Sequence, residues 1–92
     1  MNRIKEMKRE DIYISFGPFK KEKWILTVKI DNQPCQTFIG KFRLREQILK
    51  HIEEEDLSGL INELEYENSA GSQAYYYLLG YLHTKNTPMQ KW

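Results

Sequence analysis

Apolar residues recur at every second position in two stretches of the first half of this 92-residue chain, 11–16 and 23–30, and at every third or fourth position in stretches of the second half. The first period belongs to strands with one buried face and the second to amphipathic helices, so the order read is strands first, helices afterwards. Between Asp11 and Phe16, Ile12, Ile14 and Phe16 share one face, and Gly17 followed by Pro18 is expected to end that strand. Lys23 to Ile30 carries the fullest alternation, with Trp24, Leu26, Val28 and Ile30 on one side and Ile25, Thr27 and Lys29 on the other. Asp31, Asn32, Gln33 and Pro34 have turn chemistry, which predicts a third strand from Cys35 to about Phe42.

The helical period begins near Phe42 or Arg43. Leu44, Ile48, Leu49 and Ile52 form one stripe, while Leu57, Leu60, Ile61 and Leu64 form a second rotated by roughly 145°, which one straight helix cannot bury. The pattern therefore predicts a break near Asp56, with Asp56 capping the second helix and Ser58 and Gly59 in its first turn. A further interruption at 68–72 predicts a third helix, capped by Ser69 or Ser72 and running to about Thr84. The expected fold class is α+β: a three-stranded antiparallel meander followed by two or three helices packed on one face. The whole chain, 1–92, reads as one domain, with 1–10 as a flexible arm and 86–92 as a flexible tail. Ile4 and Met7 in the arm have the spacing of a short helix edge, and Trp92 closes the tail with a ring that is costly to leave in water.

Composition supports a folded chain: 40% of residues are apolar and 13% aromatic, which is too rich for disorder, with 29% charged. A domain of this length buries about 60–65% of its unfolded surface, enough for one modest core. No apolar run reaches the roughly 20 residues that span a bilayer, and the first 20 residues hold no signal-peptide core, so no membrane association and a cytoplasmic location are expected. Cys35 is the one cysteine, in keeping with a reducing compartment, and its position predicts a small buried apolar filler.

Charge is sorted along the chain. Residues 1–50 carry 12 Lys/Arg against 6 Asp/Glu (12 − 6 = +6), and residues 51–92 carry 2 against 7 (2 − 7 = −5), which sums to the net +1. Glu53, Glu54, Glu55, Asp56, Glu63, Glu65 and Glu67 crowd the later helices with no Lys or Arg among them. Acids at the end of the first helix are disfavoured by its dipole, so helix stability alone does not explain the run. As a surface it would attract a basic partner, its carboxylates standing where phosphates otherwise would. In the third helix Ala74, Tyr77, Leu78, Tyr81 and Leu82 suffice for a core face, which leaves Tyr76, Leu79 and His83 on the opposite side as a contact surface for a partner or a second copy of the chain.

Lys20, Lys21 and Lys23 in the first hairpin, with Lys41, Arg43 and Arg45 leading out of the third strand, form the competing basic surface, and Phe19 and Phe42 interleave them. Direct nucleic-acid binding is the weaker alternative, because Glu6, Glu10, Glu22 and Glu46 dilute that half and the sequence pI is only about 7.8. His51 and His83 lack zinc spacing, the serines lack a nucleophile turn, and no glycine-rich phosphate loop occurs, so no catalytic residue, metal ligand or cofactor is expected and the chain does not read as an enzyme. The expectation is a small cytoplasmic protein-protein interaction module that occupies a partner's basic surface. A compact body without chemistry of its own, rich in lysine, isoleucine and asparagine, is what many phage or mobile-element inhibitors look like, including anti-defence proteins that block nucleic-acid-handling enzymes.

Overall fold

In the computed structural model, which describes residues 4–9, 11–67 and 69–86 with side chains through His83, four strands rather than three precede the helices. They are β1 (Lys5–Arg9), β2 (Ile12–Lys20), β3 (Lys23–Ile30) and β4 (Gln36–Gly40), paired antiparallel in sequence order as a meander. The helices α1 (Arg45–Glu53), α2 (Leu57–Glu65) and α3 (Ser69–Asn86) follow.

β1 occupies the segment expected to be a flexible arm. Met7 lies opposite Ile14 and is buried, whereas Lys5, Glu6, Lys8 and Arg9 are exposed. One apolar side chain per strand carries no readable period, but here it completes the core row of β2 and β3. The flanking charges guard the open edge of the sheet against pairing with another chain. Met7→Ala is expected to lower unfolding stability by about 2–3 kcal/mol, measured by urea denaturation; a loss below about 0.5 kcal/mol would mean that β1 does not pack.

β2 runs through Gly17 and Pro18 instead of stopping there. Phe16 is its last residue paired with β1, and the register with β3 shifts between Pro18 and Lys20. Pro18 therefore removes no bond with β1 and sits beside a bulge, a setting in which a strand accepts proline. β3 keeps the boundaries its alternation predicts, and Trp24, Leu26, Val28 and Ile30 are all buried. β4 ends at Gly40, short of the expected Phe42. A Cβ on Gly40 would come within 2.8 Å of the Ala70 Cβ, so glycine here is what lets α3 approach the sheet edge.

α1 packs on β1 and β2, α3 on β4, and α2 against both other helices. The break between α1 and α2 falls where the two stripes require it. Asp56 caps α2, its Oδ1 accepting from Gly59 N at 3.0 Å, and Ile48, Leu49, Ile52, Leu60, Ile61 and Leu64 all turn inward. α1 closes with Glu55 N donating to Ile52 O and Asp56 N to His51 O at 2.8 Å, a pattern that puts Glu55 at φ 56°, a position glycine usually takes. α3 begins at Ser69, and Ser72 lies inside it, donating to Glu67 O at 3.4 Å. The tail at 87–92, including Trp92, lies outside the described residues.

Candidate interaction surfaces

The seven carboxylates do not form one surface. Glu53, Glu54, Glu55 and Asp56 lie before α2 and Glu65 and Glu67 at its far end, about 13 Å along a helix of nine residues. Glu53 faces Lys5 at 3.8 Å, and Asp56, already a cap, lies 3.3 Å from His51 Nδ1. The Arg9 guanidinium reaches the Glu55 carbonyl at 3.5 Å, so β1 lays positive charge beside the first acidic group.

Glu67 corrects the expectation most sharply. It is only 7% exposed, and its carboxylate accepts from Arg43 N at 2.7 Å and from Leu44 N at 2.5 Å. α1 has Leu44 at its N-cap and no side-chain cap of its own, so Glu67 supplies from 23 residues away the anion that a helix start favours. Arg43 in turn donates through its guanidinium to Tyr66 O at the C-terminal end of α2, which withdraws it from the basic group. Glu67 is thus a structural clamp and not part of a docking surface. Glu54, Glu55 and Glu65 remain exposed and Glu63 half-buried, with no ion pair among the described residues.

Glu65 meets the aromatic residues. The Tyr75 phenol is raised above its ordinary pKa, first by burial and then by the neighbouring Glu65 carboxylate, with Tyr76 and Tyr66 adding to it. The rings of Tyr75 and Tyr76 meet edge to face at 5.0 Å. Tyr66 is 64% exposed, Tyr76 69% and Leu79 41%, so α2 and α3 together present an apolar ledge with a carboxylate at its rim. Ala74 and Leu78 are buried and Tyr77, Tyr81 and Leu82 pack against the core, as helical spacing predicts, while His83 is exposed beside the ledge. Tyr66 was missed because it follows the last turn of a helix, where periodicity says nothing about direction.

Next to the ledge, and sharing Tyr76 with it, an open groove of about 440 Å³ is lined by Tyr76, Tyr77, Gly80 and Tyr81 together with Ile30 and Gln33. The Tyr77 ring stands 6.1 Å from Phe38, and its hydroxyl is buried without a hydrogen-bond partner among the described residues; burial, with Cys35 nearby, raises its pKa. Cys35 is exposed rather than the buried filler expected, because β4 begins one residue later and the turn carries it outward.

The basic residues gather more tightly than the acidic ones. Lys20 and Lys23 pair across the end of the β2–β3 hairpin, with Lys21 and Glu22 as its two-residue tip. Trp24 pairs with Gly40, which brings Lys41 alongside; Lys41 reaches Glu22 at 3.5 Å, and the Arg45 guanidinium lies 5.7 Å from the Trp24 ring centre. All five cations are exposed. Among the described residues no group of three or more His, Cys, Asp or Glu is arranged to hold a metal ion, and no helix is long and apolar enough to cross a membrane. No family model matches the chain, and no curated protein or solved structure matches it either.

Proposed function

We propose that this is a small, non-enzymatic, cytoplasmic protein-interaction module that works by occupying a basic surface of a partner protein, in the manner of a phage or mobile-element inhibitor acting on a nucleic-acid-handling enzyme. The contact surface is the ledge of Tyr66, Tyr76 and Leu79 with Tyr75 behind it, and Glu65 supplies attraction and register. Glu63, Glu54 and Glu55 extend the negative potential, whereas Glu53, Asp56 and Glu67 are spent on contacts within the chain. The observation that carries the reading is the exposure of Tyr76 and Tyr66, large amphipathic side chains of the kind that dominate binding energy at interfaces, beside the Glu65 carboxylate, which has no ion pair among the described residues.

Affinity capture from the native host, with bound proteins identified by mass spectrometry and their affinities then measured, tests this. The double substitution Tyr76→Ala and Leu79→Ala is expected to weaken the principal partner by about 30-fold or more, while Lys20→Glu with Lys21→Glu leaves it bound. Retention of the partner by the tyrosine and leucine double variant would defeat the proposal. Sedimentation of the same proteins separates a foreign partner from self-association: a wild-type dimer that the double variant dissolves would make the occupant of the ledge a second copy of the chain.

A further inference from the structure

We propose a second site, independent of the ledge: the corner built from the β2–β3 hairpin tip and the β4–α1 loop binds single-stranded nucleic acid. Lys20, Lys21, Lys23, Lys41 and Arg45 converge there against Glu22 and Glu46, a local charge of 5 − 2 = +3 on a chain whose net charge is +1. Local charge decides binding, because charges more than about 10 Å apart are largely screened at 0.1 M salt. The row of cations has the chemistry to follow a phosphate backbone.

A ring distinguishes single strands from other polyanions. Phe19 is 48% exposed at the edge of the cationic group, and the Lys20 ammonium stands 5.6 Å from its ring centre. An exposed phenyl among lysines offers a face on which an unpaired base can stack, whereas in a duplex the base faces are already covered. The corner is also held in place. Phe42, buried against Phe16, and the Glu67 clamp on Arg43 and Leu44 fix the loop that carries Lys41 and leads into Arg45, the first residue of α1. The backbone that carries the cations is thus held by strand pairing and by the pinned loop, so binding has side chains rather than backbone to order.

Titration of a fluorescent oligothymidylate of about a dozen nucleotides, followed by anisotropy, tests the site. Binding is expected at about 50 mM salt and should weaken about 50-fold at about 200 mM if four phosphates are contacted, from a logarithmic slope near −0.7 per phosphate. Lys20→Glu with Lys21→Glu should abolish binding or make the slope shallower by about 1.4, and Phe19→Leu should weaken binding about fivefold or more with the slope unchanged. All three side chains are exposed, and circular dichroism of each variant verifies that the fold is kept. Absence of binding at the lower salt overturns the proposal, as does indifference to the lysine changes. Equal affinity for a duplex of the same length with no effect of Phe19→Leu overturns the single-strand assignment.

Discussion

Phe42→Ala is expected to lower unfolding stability by about 3–5 kcal/mol, a large part of the 5–15 kcal/mol typical of a domain. Phe42 belongs to neither strand nor helix, yet it is 2% exposed and meets Phe16 edge to face at 5.0 Å. Phe16 in turn lies 4.9 Å from Trp24, so three rings join β2, β3 and the loop entering α1. Truncation would leave a ring-sized void where the sheet, the loop and the first helix meet, and the neighbours, held by strand register, can collapse into it only in part. Urea denaturation should show a lower midpoint with unchanged slope. A loss under about 1 kcal/mol would mean that the ring is not packed as described. Because the same loop presents Lys41 and leads into Arg45 at the start of α1, this variant should also weaken binding at the basic corner even under conditions where it stays folded.

Glu67→Ala carries the second large effect, about 2–4 kcal/mol. Two backbone N–H groups at the entry to α1 would lose a charged acceptor inside a partly buried site, and hydrogen bonds to charged groups contribute more than neutral ones while orphaned donors add their own penalty. Glu67→Gln keeps one acceptor oxygen and should lose about half as much. Glu54→Gln and Glu65→Gln, both exposed, should stay within about 0.5 kcal/mol of wild type. If all four substitutions had equal small effects, the clamp would not exist and Glu67 would return to the acidic surface. Gly71→Ala offers a second probe of the same contact, since a Cβ there collides with the Glu67 side chain.

The parts of the fold that could be read from the sequence are those whose information is local and repeated. β3 has four inward apolar residues in strict alternation, and the break at Asp56 follows from two stripes that no single helix can bury. β1 was invisible because its inward row holds Met7 alone, and its strand character comes from pairing with β2 rather than from its own period. Glu67 sits in a run of acids that look alike in sequence; what sets it apart is a loop 23 and 24 residues upstream with unsatisfied N–H groups. One clue was present: Gly71 follows four residues later, and the absence of a Cβ there leaves room for the Glu67 side chain. The basic corner was legible as a list of residues but not as a site, since the pairing of Trp24 with Gly40 is what joins the hairpin to Lys41.

Proximity labelling from the ledge itself tests the central claim most directly. A photo-reactive phenylalanine analogue at position 76, irradiated in host extract, should form an adduct with one principal protein, competed by excess unlabelled wild type but not by the variant carrying Tyr76→Ala and Leu79→Ala. The same probe at Thr37, an exposed position on β4, should not. Equal labelling from both positions, or an adduct that the double variant competes as well as wild type does, would contradict the assignment of the α2–α3 ledge as the binding surface.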